Sequence, residues 1–341
     1  MTTFEFTANN LNRRERRKQR IFEIIPGLTS WSILIGMAVM AFTCPLAAAV
    51  IIIAFYLYWL LRLLYMMLFL VFSYARLKAE EKSDWMARIR GINDIDRSID
   101  AVKKLSSHKD RGEKASLLFF RKQLEELRRK GGSIPLVEDI YHLVIIPVAK
   151  ETKDIVEPGV RSLAGSIFPP EKILVVMALE ERASAEVSEG VAQLKKVYGD
   201  KFMDMLVAVH PDGIVGEARG KGANATFAAK KAAEYFKEKK IPLENITSSC
   251  FDSDTVINPD YFASLTYYFL TCPKRQRASF QPVPVYNNNI WEAPGITRVL
   301  EIGSSFYQLI EATNPEKLVT FSSHSMSFKA LVEVGYWPVD M

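Results

Sequence analysis

The residues best suited to chemistry in this chain of 341 residues are Asp252 and Asp254 in Phe251-Asp252-Ser253-Asp254-Thr255. In extended backbone, side chains two positions apart point the same way, so both carboxylates can be presented to one side. A hard cation such as magnesium or manganese is commonly held by one or two carboxylates while substrate phosphates complete its shell. Exposed turns are rich in Asp for other reasons; here the apolar run that precedes the pair singles it out as a strand tip. A second candidate is the stretch Gly216 to Asn224, which combines flexible backbone, the cations Arg219 and Lys221 and the start of a helix, the ingredients of an anion site. It is not a P-loop, because Gly222 follows Lys221 where Ser or Thr is needed and Val215 holds the place of the upstream glycine. An ordinary glycine turn with Asn224 as helix cap explains the same letters. Glu151 and the pair Glu180 and Glu181 complete the polar groups that follow apolar runs.

Elements that would position these groups are legible upstream and downstream. His142 to Pro147, Ile173 to Met177, Met205 to Val209 and Ile246 to Phe251 are short apolar runs of buried-strand type, separated by helical patterns over Val156 to Ser166, Ala183 to Tyr198 and Asn224 to Lys239. This succession predicts an α/β fold with a mostly parallel sheet and helices on both faces, which binds ligands beyond the carboxyl ends of its strands. Every candidate above lies at such an end.

The N-terminal part is of another kind. From Leu28 to Tyr74 the sequence is almost continuously apolar, broken by Pro45 and Arg62, and predicts two transmembrane helices turning at Thr43-Cys44-Pro45. Arg62 fits a snorkelling side chain. Arg13, Arg14, Arg16, Arg17, Lys18 and Arg20 before the hairpin, and Arg76, Lys78 and Lys82 after it, place both ends in the cytoplasm. The expected organisation is a basic segment over 1–26, the hairpin over 27–77, a charged helical linker over 78–140 and a catalytic domain over 141–341. Ile92, Ile95, Ile99 and Val102, then Leu117, Phe120, Leu124 and Leu127, give the linker its helical spacing, and it fits either a membrane surface or the domain.

The net charge of +5 concentrates beside the hairpin and in the linker, so a lipid bilayer, and no nucleic acid, is the expected partner. Three dispersed cysteines argue against a disulfide framework or thiolate zinc site, and no pair of the four histidines has zinc-hydrolase spacing. Metal chemistry would therefore use oxygen ligands.

Four features, in order, make the region from His142 onward resemble the family-two glycosyltransferases, in particular membrane-embedded polysaccharide-synthase-like members with a GT-A fold. They are Ile146-Pro147 with Glu151; Arg219 to Asn224; Asp252-Ser253-Asp254 followed by Pro259-Asp260-Tyr261-Phe262; and Ser327-Phe328-Lys329 with Val334-Gly335-Tyr336-Trp337. The resemblance implies inverting transfer of a sugar from a nucleotide-diphosphate sugar to a glycan or lipid-linked acceptor at the cytosolic membrane face. It places Pro147, Glu151, Glu180, Glu181, Lys221, Asn224 and Asp252 on the nucleotide sugar, Mg2+ or Mn2+ on Asp252 and Asp254, and Gln281, Asn287 and His324 on the acceptor side. The chain departs from the family at Ala178-Leu179-Glu180-Glu181, where Asp-Asp-Gly-Ser is usual. The family's acidic general base follows the Gly-Tyr-Trp-like region and is expected after Met341, with further membrane helices beyond. A nucleotide-binding membrane module without catalysis, and another α/β nucleotide enzyme such as a nucleotidyltransferase, are the competing expectations.

Overall fold

The computed structural model describes residues 12–105, 111–131, 134–286, 290–312 and 323–340. The chain divides into two compact units, Met1–Tyr74 and Ala75–Met341.

In the first unit, α1 (Arg13–Thr43) starts at Asn12, whose side chain accepts from the backbone of Arg14 and Glu15 while Glu15 returns a bond to the Asn12 amide. This reciprocal cap explains why the helix begins within the basic segment rather than after it. Cys44 interrupts the helix and Pro45 opens α2 (Pro45–Glu81), a first-turn position where its missing N–H costs nothing. Both helices are long and apolar enough to cross a membrane. Ile24 to Thr43 carries no charge, a length of about 30 Å along a helix, and large side chains such as Trp31, Ile33, Phe55 and Leu60 are exposed.

The second unit is an α/β domain. Strands β1 (Tyr141–Val148), β2 (Ile173–Glu180), β3 (Asp204–His210), β4 (Ile246–Cys250), β5 (Ser279–Phe280) and β6 (His324–Ser327) form one sheet in the order β3-β2-β1-β4-β6-β5. The first four neighbours are parallel, whereas β6 runs antiparallel to both β4 and β5. The strands read as continuous apolar runs because both faces are covered. Val144, Ile146 and Val148 of β1 join one core with α6 (Lys153–Ala164), α7 (Ala185–Tyr198) and α9 (Tyr261–Thr271). Leu143 and Ile145 point the other way, into a core built with α8 (Lys221–Glu238) and α11 (Phe328–Glu333).

The helices α3 (Trp85–Asn93), α4 (Ile95–Leu105) and α5 (Arg111–Lys130) belong to this domain, since Ile89, Ile92, Ile99, Val102, Phe120 and Leu124 are buried in the same core as the sheet. The spacing of Ile92, Ile95, Ile99 and Val102 suggests one helix. Asp94 divides it, accepting from the Arg97 amide at 3.2 Å at the head of α4. The remaining helix, α10 (Gly295–Glu311), lies between β5 and β6 in sequence.

A polar residue sits at the centre of the first core. His142 has no exposed surface; its Nδ1 lies 2.6 Å from Thr247 Oγ1 and its Nε2 2.9 Å from Thr266 Oγ1, with Phe168 and Phe262 rings 4.7 Å away. Burial pushes its pKa down to about 3, so the ring is neutral and ties β1, β4 and α9 together.

Candidate functional site

The strand order places a switch point between β1 and β4. From β1 the chain steps to β2 and β3 on one side, then returns as β4 on the other. Connections that diverge in this way leave a crevice at the carboxyl ends of the two strands. Local sequence opens it. Pairing between β1 and β4 stops at Ile145 and Cys250, and the Phe251 amide makes one last bond to Ile145 O at 3.0 Å. By the alternation of strand hydrogen bonding, position 147 faces the same side as 145, where β4 has already left the sheet. Pro147 therefore removes no bond there.

Beyond Phe251 the chain turns. The Asp252 amide donates to Ser323 Oγ at 3.2 Å, and the Thr255 amide donates to Asp252 O at 3.0 Å. Helix α6 braces this turn from one side: the Ile257 amide donates to Ser162 Oγ at 3.0 Å, and a Cβ on Gly159 would lie 2.7 Å from Thr255 O. Glycine at 159 is the condition for that approach. Asp252 is half-buried and Asp254 exposed.

The cation of the site comes from α8. Lys221 is its first residue, and its Nζ lies 2.5 Å from Asp252 Oδ1. Three contacts seat this helix start. A Cβ on Gly222 would collide with Pro338 O, the Ala218 amide donates to Val339 O at 2.6 Å, and the Asn224 amide group donates to Ala178 O of β2 at 2.7 Å. Asn224 is thus buried and spent on the sheet, and its Oδ1 is without a hydrogen-bond partner among the described residues.

Glu151 turns back on its own loop, where its Oε2 accepts from the amides of Ala149 at 2.9 Å and Lys150 at 3.1 Å. Burial alone would raise its pKa, but these N–H groups and the Lys150 charge outweigh it and hold the carboxyl below its ordinary value.

Glu180 and Glu181 lie on a different rim, at the ends of β2 and β3. Glu180 pairs with Arg182, and Glu181 accepts from the Asp212 amide at 2.9 Å. Arg219 grips Asp212 through two bonds of 3.0 and 2.9 Å, and His210 Nε2 lies 2.9 Å from Glu217 Oε2. Together they border a shallow, open depression with a cavity volume of about 20 Å3. Of this ring, sequence reasoning singled out Glu180, Glu181 and, as part of the glycine-containing loop, Arg219. Glu217 lies in that same loop, where the sequence assigns it no role, and Asp212 and His210 carry no spacing signal that would have found them.

On the far side of the Asp turn, His324 stands opposite Cys250 on β6, and Gln281 follows Phe280, which pairs with Ser325. The same antiparallel register brings both to the level of the strand tip. Tyr286 lies within electrostatic reach of the Asp turn: burial, Glu301 and Asp252 together push its phenol above its ordinary pKa. Asn287 lies outside the described residues. Among the described residues no group of three or more His, Cys, Asp or Glu side chains is arranged to hold a metal ion. The pair sits in the Asp252–Thr255 turn and not in the extended backbone that the sequence suggests, so strand alternation does not align the two carboxylates; by donor type alone, their hard oxygens suit Mg2+ or Mn2+ with phosphate oxygens completing the shell.

No family model matches the chain, and no curated protein matches it. Among solved structures it is similar to the mannosyltransferase PcManGT of Pyrobaculum calidifontis in complex with GDP-Man and Mn2+, at 14% identity and a TM-score of 0.40, over 72% of this chain and 60% of that one. It is also similar to residues 1–349 of TarS from S. aureus, alone and in complex with UDP, at 14% identity and a TM-score of 0.34, over 58% of this chain and 50% of that one.

Proposed function

We propose that this chain is an inverting glycosyltransferase that moves a sugar from a nucleotide-diphosphate sugar to a glycan or lipid-linked acceptor at the cytosolic face of a membrane. The observation that carries the reading is the meeting of Lys221 and Asp252 at the switch point: a cation from a helix start and a carboxylate from a strand tip converge at 2.5 Å. A diphosphate needs both kinds of group, a positive one for its oxygens and carboxylates for the cation it carries.

In this reading Pro147 and Glu151 border the nucleotide, and Glu180 and Glu181 face its base and ribose. Lys221 and the amides at the start of α8 receive the diphosphate. Asp252 and Asp254 hold Mg2+ or Mn2+, which when bound neutralises charge building on the leaving diphosphate. The acceptor enters past Gln281, Tyr286 and His324. Its oxygen forms the new bond to the anomeric carbon as the bond to the phosphate oxygen breaks. The bonding pair leaves with the nucleoside diphosphate, and the acceptor proton passes to a carboxylate base. One displacement inverts the sugar. Helices α1 and α2 lie in the bilayer, with their basic flanks and the α/β domain in the cytoplasm.

The test is turnover of a panel of sugar nucleotides by the membrane-reconstituted protein. Release of nucleoside diphosphate, abolished in Asp254→Ala, supports the proposal. Release of pyrophosphate would assign a nucleotidyltransferase instead, and nucleotide binding without turnover of any donor would leave a binding module.

A further inference from the structure

Lysine is an unfavourable residue at the first position of a helix, because the unpaired N–H groups there already carry positive partial charge. The first turn of α8 supplies no acid to offset it, since Lys221 to Asn224 contain none and Gly220 gives no side-chain cap. Asp252, which is 31 residues away in sequence, supplies a carboxylate. Both partners are mounted on fixed backbone. The start of α8 is wedged by Pro338 O and Val339 O, and the Asp252 amide is held by Ser323. The two side chains themselves are 41% and 45% exposed, so the long lysine stem can swing without disturbing the fold.

We infer that Lys221 is a stand-in cation for Asp252, which yields the carboxylate to a divalent ion only when a diphosphate draws the ammonium away. The inference rests on the reading of Asp252 and Asp254 as metal ligands. An ammonium in contact with Asp252 Oδ1 both occupies that oxygen and repels an arriving dication. A diphosphate offers the same ammonium a competing set of anionic oxygens beside the helix start, where an anion is favoured. Nucleotide binding therefore frees the carboxylate, and metal binding in turn favours the nucleotide, since the coupling is reciprocal. The site stays unloaded toward free cytosolic cations and loads metal together with donor.

The experiment is Mn2+ binding to the full chain in nanodiscs, followed by the electron paramagnetic resonance of free Mn2+, with no nucleotide and with saturating UDP or GDP as probes. The wild type is expected to bind Mn2+ more tightly by about tenfold in the presence of an effective diphosphate. Lys221→Met is expected to raise the nucleotide-free affinity by about fivefold, the equilibrium equivalent of a half-exposed ion pair, and to abolish most of the coupling. Lys221→Arg keeps the coupling. Lys221→Gln repeats the Lys221→Met result with a side chain that keeps hydrogen-bonding capacity, and unchanged melting temperatures certify both folds. Unchanged or weaker nucleotide-free Mn2+ binding in Lys221→Met and Lys221→Gln, with coupling intact in the wild type, overturns the stand-in role while leaving the metal site in place. Absence of Mn2+ binding by the wild type with either diphosphate overturns the metal-site reading itself.

Discussion

Replacing Gly159 by alanine separates the site from the fold. Gly159 lies inside α6, and alanine there should gain up to about 1 kcal/mol of helix propensity if space allows. Space does not allow it. The new Cβ would stand 2.7 Å from Thr255 O and 3.6 Å from Ser253 O, and restoring an ordinary contact of 3.4 Å requires a shift of about 0.7 Å. The obstacle is backbone, so no side chain can swing aside, and overpacking of this kind costs about 1–3 kcal/mol. The two effects nearly offset, leaving a net loss of about 0–2 kcal/mol and a melting temperature lower by at most a few degrees. Displacement falls on the turn that carries Asp252 and Asp254, where a misplacement near 1 Å costs on the order of a hundredfold in rate and a smaller one roughly tenfold. Thermal melting and Mn2+-dependent nucleoside diphosphate binding of the full chain, measured side by side, check this. Gly303 in α10 is the control, since nothing lies within 4 Å of a Cβ there, and Gly303→Ala should stabilise by about 0.5–1 kcal/mol without touching binding. A Gly159→Ala protein that melts as high as Gly303→Ala and binds nucleotide like the wild type would refute the close packing of α6 on the aspartate turn.

Two further outcomes test the surroundings of the site. His142 is neutral in the fold, with its pKa held at about 3, and would titrate near 6.5 in the unfolded chain. Its contribution is present in full above about pH 6.5, and stability should fall by up to about 1.4 kcal/mol per unit as pH drops below that. His142→Gln should flatten this dependence in denaturant titrations between pH 7 and 4.5, at a cost of about 1–3 kcal/mol at neutral pH for leaving Thr247 or Thr266 without its ring partner; equal pH slopes would contradict the assignment. Cys250 is buried at the tip of β4 with its thiol pushed up to about 11, so alkylation at pH 7.5 should reach it only after unfolding. Rapid native labelling, read by mass spectrometry, would mean that the strand tip is open.

The sequence made the parallel part of the sheet readable because β1 to β4 are buried on both faces and so appear as apolar runs, spaced by helices of matching length. The antiparallel edge has no such signature. Strand β5 has two residues, and β6 is His-Ser-Met-Ser, a polar string that owes its extended form to pairing with β4 rather than to its own preferences. Ser323, which immediately precedes that string, holds the Asp252 turn, a contact 71 residues long that no local pattern encodes. The linker helices are likewise part of the domain: their charged faces suggest lipid or solvent, but one apolar stripe on each is enough to bury them in the core. Within the site, the aspartate pair and Lys221 were legible by type, while their contact was not. Asn224 looks like a ligand or cap from its place after a glycine-rich turn, yet the small residues Ala225, Ala228, Ala229 and Ala232 mark the face of α8 that lies flat on the sheet. That face buries Asn224 and commits its amide to β2.

Everything functional depends on the carboxylates at the tip of β4 binding a cation that a diphosphate shares. Equilibrium binding of UDP and GDP to the full chain in nanodiscs, with Mn2+ and then with excess chelator, measures this directly when repeated on Asp252→Asn. One diphosphate should bind only with the divalent ion and lose about tenfold or more in affinity in the variant. Binding that persists at the same strength in chelator, or that Asp252→Asn leaves untouched, would contradict the account.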